Sequence, residues 1–251
     1  MSNFKQYAKY YNLLYADKNY QNEVDYIDTL IKKYSPKVKT LLDIGSGTGN
    51  HDILLLKKGY EIDGVDMSQE MVDIGNNKTR DLNNICFHLG SSTNFKIEKQ
   101  FDAVLSLFHV MSYQTTNDNL YNSLKNAYDH LKPQGIFIFD FWYGPGVLTD
   151  LPALRVKTFE NNEIIINRIC RPEIHANSNI VDVNYEVLIE DKKTNTLEKL
   201  FETHHMRYLF MPELHYMLTN IGFKISKMLN WMSTTDEPNF NSWNACLVAQ
   251  K

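Results

Sequence analysis

Between residues 36 and 142 short apolar runs alternate with longer amphipathic stretches. The runs at 40–44, 61–66, 85–89, 101–107 and 136–141 are too short for helices and read as strands. The stretches at 51–58, 69–76 and 118–130 read as helices. Gly59 closes the first, Ser68 caps the second, and Lys132-Pro133-Gln134-Gly135 ends the third. Upstream, 4–34 reads as helical, with Tyr7, Tyr10, Tyr11, Tyr15 and Tyr20 clustered at its start and a break at Asp17-Lys18-Asn19. The second piece begins at Asn22-Glu23-Val24-Asp25, repeats Val24, Ile27, Ile31 and Tyr34 at helical spacing, and stops at Ser35-Pro36. Regular alternation of strand and helix predicts an α/β fold with a doubly wound, mostly parallel sheet, covered by helices on both faces.

The pattern changes after Pro145. Segments 164–169, 180–190 and 197–209 are rich in β-branched and aromatic residues, separated by turn-like stretches at 172–178 and 191–195. They predict an antiparallel three-stranded insertion after the fifth strand. Pro212 opens a helix to about residue 220, capped by Gly222, and 225–232 and 243–249 complete a seven-stranded sheet. The chain, 1–251, is thus expected to be one domain. Its parts are a helical lid (1–36), a core (37–149), the insertion (150–210) and the C-terminal end of the core (211–251).

Composition narrows the partners. The net charge is −4 and no Lys/Arg run stands out, so binding to nucleic acid or an anionic membrane through bulk charge is not expected. No apolar run approaches the roughly 20 residues of a membrane span, and Met1-Ser2-Asn3-Phe4-Lys5 lacks the apolar stretch of a signal peptide. Cys86, Cys170 and Cys246 are odd in number and show neither metal nor disulfide spacing. A cytoplasmic chain with reduced thiols is expected. His204 and His205 are adjacent, so on a strand they face opposite ways and do not predict a shared metal.

Chemistry begins at Leu42-Asp43-Ile44-Gly45-Ser46-Gly47-Thr48-Gly49. Glycines permit positive φ and close approach of a ligand to the backbone, and the following helix presents free N–H groups. Dehydrogenases use a glycine turn too, but with a different spacing. Asp43 suits a cationic amino group better than a phosphate, and Asp66, at the end of the second strand, suits a ribose diol. The set describes a pocket for a nucleoside carrying an amino acid.

The residues 42–49, Gly-Val-Asp-Met-Ser at 64–68, Phe-Asp-Ala-Val-Leu-Ser at 101–106 and Leu-Lys-Pro-Gln-Gly at 131–135 resemble the ordered motifs of class I S-adenosylmethionine methyltransferases. The resemblance, over about 38–142, implies a Rossmann-like fold, S-adenosylmethionine as cofactor and S-adenosylhomocysteine as product. It implies that Gly45, Ser46, Gly47 and Gly49 line the cofactor, with Asp43 near its amino acid end. Asp66 would take the ribose and Met67 the adenine. Gly90, Ser91 and Ser92 stand where many members carry a carboxylate for the adenine edge, so a serine hydroxyl is expected to accept that bond. Leu107 and Tyr15 complete the cofactor set.

A narrower resemblance is to the nucleotide-linked amino-sugar N-methyltransferases. Tyr11-Asn12-Leu13-Leu14-Tyr15, Gly-Thr-Gly-Asn-His at 47–51, Leu-Phe-His-Val-Met-Ser-Tyr at 107–113 and Asp-Phe-Trp-Tyr at 140–143 carry it. It implies a small-molecule acceptor, a dTDP-amino sugar. The sulfonium is already an activated electrophile, so the protein need only align the acceptor, exclude water and take up a proton. Tyr113 is expected to face the acceptor, with His109 as pocket wall or base. Tyr11, Phe141, Trp142 and Tyr143 are candidate acceptor walls, and Tyr20 joins Tyr11 and Tyr15 as lid. One or two of Arg155, Arg168, Arg171 and Arg207, in or beside the insertion, are candidates for an acceptor phosphate, with Arg207 placed in the substrate-binding set. His51, at a helix N-terminus, is expected to be neutral. Three alternatives stay open: an O-methyltransferase for another small acceptor such as a surface-polysaccharide precursor, an oxidoreductase, and an inactive cofactor-binding protein. A monomer and a homodimer both fit.

Overall fold

The computed structural model describes residues 8–251, so Phe4 and Tyr7 lie outside the described residues. After α1 (Ala8–Leu14) and α2 (Tyr20–Tyr34) the alternation follows: β1 (Thr40–Ile44), α3 (Asn50–Lys57), β2 (Glu61–Asp66), α4 (Gln69–Thr79), β3 (Ile85–Leu89), β4 (Phe101–Ser106), α5 (Asn117–Asp129) and β5 (Leu131–Trp142). A short α6 (Gly144–Thr149) leads into β6 (Arg155–Glu160), β7 (Ile164–His175), β8 (Ile180–Asp191) and β9 (Leu197–Arg207). The chain returns through α7 (Met211–Ile221), β10 (Lys224–Asn230) and β11 (Asn244–Gln250). Among the described residues the main sheet has seven strands in the order β10-β11-β5-β4-β1-β2-β3, and β6 to β9 form a separate antiparallel sheet. In the main sheet β1 to β5 pair parallel, while β11 runs antiparallel to both β5 and β10.

Both faces of the main sheet are buried, as crossover helices require. Leu42, Ile44, Phe137, Phe139 and Phe141 pack with Leu120 and Leu124 of α5 and Leu214 and Leu218 of α7. On the other face Leu41, Leu105, Ile136 and Ile138 pack with Val24, Ile27 and Ile31 of α2 and Leu55 of α3. Each fully buried phenylalanine contributes about 1.5–3 kcal/mol. The strand order reverses at β1, so the carboxyl ends of β1 and β4 flank the crevice where ligands bind in such sheets.

Several boundaries differ from expectation. Helix α2 starts at Tyr20, because Asn19 accepts a bond from the Asn22 amide at 3.0 Å and caps it earlier. Helix α4 runs past 76 to Thr79. Residues 132–135 belong to β5 as an irregularity in its pairing with β4, with Gln134 at φ 65°. The insertion has a fourth strand, β6, whose largely exposed face, with Arg155 and Lys157, masked its strand character. Most of the expected turn at 172–178 is strand. Pro172 is tolerated there because β6 pairs only as far as Cys170, leaving that side of β7 open. No described helix is long and apolar enough to cross a membrane.

Candidate active site

The glycine turn after β1 adopts the left-handed backbone the spacing demands. Gly45 and Gly49 have φ of 83° and 75°, and a Cβ on either would lie 2.4 Å from Val110 or Phe87. Gly47 differs: a Cβ there meets nothing, because its Cα faces open space. Asp66, at the end of β2, accepts from the Gly47 amide and, through its other oxygen, from the Ser68 amide, both at 2.9 Å. Burial raises the Asp66 pKa, and those amides hold it back. Asp66 is therefore fixed in orientation at the floor of a cavity of about 410 Å³.

Gly45, Ser46, Gly47, Asp66 and Met67 line this cavity, as do Gly90, Ser92 and Leu107. Tyr11, Tyr15, His109, Tyr113 and Trp142 line it as well. Ser92 shares a hydrogen bond with Ser123 at 2.9 Å, so its hydroxyl is already engaged. Ser91 and Gly49 lie outside the wall, Ser91 bonding Thr93 at 3.0 Å and Gly49 capping α3.

Asp43 also lies outside the wall. Strand alternation turns it to the α3 side, where it meets Asp52; both are buried. No donor reaches Asp43 Oδ1 or either Asp52 oxygen unless one of the two carboxyls is itself protonated. Burial, and for Asp52 the neighbouring Asp43, raises both pKa values, so the pair shares a proton. The same alternation corrects three acceptor-side expectations. Phe141 is fully buried on the α5–α7 face, and Tyr143 packs on that cluster. Arg207 is buried against Glu213 at 2.6 Å and Asn117 at 2.8 Å, its charge already satisfied away from the cavity.

The loop after β4 carries strain. Phe108 and His109 are consecutive non-glycine residues at φ 65° and 66°. Asp140, fully buried on β5, holds this turn. Both its oxygens lie 3.2 Å from the His109 amide, and Oδ2 lies 2.5 Å from His109 Nδ1 without hydrogen-bond geometry. One turn later the Tyr113 hydroxyl lies 2.7 Å from His204 Nδ1 on β9, and His204 Nε2 lies 3.2 Å from Glu202. Burial raises the Tyr113 pKa well above the usual phenol range. His205 points the other way, to Asp182 at 2.5 Å, as adjacent strand positions must.

Sequence reasoning named Arg168 of the insertion as a candidate for an acceptor phosphate but missed Val183, Tyr185, His204 and Met206. Arg168, Val183, Tyr185, His204 and Met206 all line the cavity. Val183/Tyr185 and His204/Met206 are each two apart on paired strands, a period-two signal visible in the sequence, but the face they present depends on how the sheet docks. Arg168 lies 5.5 Å from the Tyr15 ring centre, 5.1 Å from Tyr185 and 5.2 Å from Phe159. Tyr10 and Leu14 of α1 pack on Ile166, Val187 and Ile189, so α1 rests on the insertion beside the cavity. His51, at the cavity edge, bonds Glu23 at 2.7 Å. A smaller annex of about 170 Å³ shares Trp142, Arg168, Tyr185 and Trp243 with the main cavity and adds Arg155 and Lys157.

Comparison with known proteins agrees with this geometry. Residues 41–135 match the family described as a methyltransferase domain. YqeM of Bacillus subtilis (strain 168) is 26% identical over 251 residues, 99% of this chain and 97% of that protein. The dTDP-3-amino-3,6-dideoxy-alpha-D-glucopyranose N,N-dimethyltransferase of Streptomyces fradiae is 23% identical over 223 residues, 88% of this chain and 85% of that one. The fold matches a crystal structure of an S-adenosylmethionine-dependent methyltransferase from Clostridium acetobutylicum ATCC 824 with a TM-score of 0.81, 21% identity and 99% of each chain covered. With the cofactor motifs gathered at the carboxyl ends of β1, β2 and β4, the chain is a class I S-adenosylmethionine-dependent methyltransferase that resembles the dTDP-amino-sugar N,N-dimethyltransferases.

Proposed function

We propose that the enzyme methylates the amino group of a small nucleotide-linked sugar. The observation that carries this reading is the annex. Arg155, Lys157 and Arg168 converge there beside Trp142 and Trp243, a combination suited to a diphosphate and a stacked base. It shares Trp142, Arg168, Val183, Tyr185 and Trp243 with the main cavity, so in this reading the sugar would reach toward Tyr113 while its nucleotide stays in the annex. The similarity to the Streptomyces fradiae amino-sugar enzyme supports the same class.

In this reading Gly45, Ser46 and Gly47 cradle the cofactor, Asp66 takes its ribose, and Met67, Gly90, Ser92 and Leu107 bound its base. The fit rests on the bare Gly47 backbone facing open space and on an Asp66 carboxylate already fixed in direction. Bound S-adenosylmethionine supplies the activated methyl group. The chain's own task is the acceptor. Tyr11, Tyr15 and Trp142 exclude water, and α1 acts as the lid. His109, fixed by Asp140, shapes the wall. The Tyr113 hydroxyl donates to His204 Nδ1, which leaves the His204 Nε2 proton for Glu202. An acceptor proton therefore passes to Tyr113 Oη as the tyrosine proton moves to His204 and the Nε2 proton to Glu202.

The test is incubation with S-adenosylmethionine and dTDP-3-amino-3,6-dideoxy-α-D-glucopyranose, with dTDP-glucose as the hydroxyl analogue. Formation of S-adenosylhomocysteine and a methylated amine with the first alone is expected. Turnover of dTDP-glucose alone would move the reading to oxygen, and turnover of neither would remove the nucleotide-sugar class.

A further inference from the structure

Three side chains that play no part in the cavity meet on the outer edge of the main sheet. Asp63 lies on β2, and Cys86 and His88 lie two apart on the edge strand β3, so all three share one face. Cys86 Sγ lies 3.1 Å from Asp63 Oδ1, His88 Nε2 lies 3.0 Å from the same oxygen, and the sulfur lies 3.3 Å from that nitrogen. A closed triangle of one carboxylate oxygen, one thiol and one imidazole has three edges. The thiol and the imidazole nitrogen bring only two protons, so at most two of the three edges carry a hydrogen bond of their own and the third is a close contact that a shared cation would relieve.

We propose that Asp63, Cys86 and His88 form a zinc site. A sulfur, nitrogen and oxygen set matches the ligand preference of Zn²⁺. With bonds of about 2.0–2.3 Å, an ion over this triangle sits roughly 1 Å out of its plane, and the fourth tetrahedral corner opens outward to water. Asp63 is buried while Cys86 is exposed, so the carboxylate anchors the site from beneath and the ion enters from solvent. Lys99 holds the other Asp63 oxygen at 2.5 Å, which fixes the carboxylate and leaves Oδ1 for the metal. The ion would tie β3 to β2 at the edge of the sheet.

The test uses Co²⁺ as spectroscopic probe on the reduced full-length protein. A sulfur-to-cobalt charge-transfer band in the near ultraviolet is expected, saturating at one ion per chain and bleached by Zn²⁺. Cys86→Ser should abolish the band, and His88→Ala should weaken binding roughly 10- to 100-fold. Both variants should keep the wild-type affinity for S-adenosylhomocysteine, since neither residue lines the cavity. Alkylation of exposed Cys86 in the folded wild-type protein gives the same readout without a variant; Cys246 is buried and Cys170 is partly covered. No band in the wild type, or a band that survives both Cys86→Ser and alkylation, overturns the proposal.

Discussion

The Tyr113 hydroxyl and His204 Nδ1 lie 2.7 Å apart, joining the loop after β4 to the last strand of the insertion. Two segments 91 residues apart are thus joined by one hydrogen bond. Tyr113→Phe removes the hydroxyl proton while keeping the ring, so turnover should fall about 100-fold with little change in acceptor KM. His204→Gln should lower turnover in the same direction. Steady-state kinetics beside calorimetric affinity for S-adenosylhomocysteine checks this; equal losses in both would mark Tyr113 as a packing residue.

Asp66 is held by two backbone amides and faces the cavity. Asp66→Ala should weaken S-adenosylmethionine and S-adenosylhomocysteine binding by roughly 10- to 100-fold, the worth of a hydrogen bond to a charged group. Isothermal calorimetry measures it, and unchanged affinity would reject the ribose role.

Arg168 lines both the main cavity and the annex. Arg168→Ala should raise the KM for a dTDP-amino sugar by roughly 10- to 100-fold. The cofactor affinity should move much less. A larger effect on the cofactor than on the acceptor would place Arg168 in packing of Tyr15 instead.

The buried Asp43–Asp52 pair gives a pH signature. Both pKa values are raised in the folded protein, so the folded state binds more protons than the unfolded chain. Its contribution is full below the ordinary carboxylate range, near pH 4, and is lost as pH rises through the folded value, which for Asp43 is about 6. Asp52→Asn removes the like charge and should raise the melting temperature at pH 8 by about 2–4 °C for each kcal/mol relieved. It should also flatten the slope between pH 4 and 7 relative to wild type. Melting curves across that range decide it; an unchanged slope would mean the pair holds no shared proton.

Much of this molecule is legible from local pattern. The five parallel strands, the glycine turn and Asp66 stand where the apolar runs and the Gly-x-Gly-x-Gly spacing indicate, because strand, turn and following helix are contiguous. The residues proposed to hold the cofactor lie at strand ends, and their position in space follows from position in sequence. The part proposed for the acceptor is less legible. Phe141, Tyr143 and Trp142 are neighbours in sequence, yet only Trp142 reaches the cavity. Pleating sends successive side chains to opposite faces, and nothing local says which face the cavity takes.

What the sequence by itself determined is the order of elements, the two-faced burial of the parallel sheet and the chemistry of the first glycine turn. These follow from backbone periodicity and from conformations only glycine adopts freely. Only the tertiary structure decided that Asp43 turns to Asp52, that Arg207 spends its charge on Glu213, and that His204 reaches Tyr113. It likewise brought Asp63 to Cys86 and His88, because parallel register joins residues 23 and 25 positions apart. Such contacts depend on docking angle and strand register, which are set by burial summed over the whole core and leave no mark at any single position.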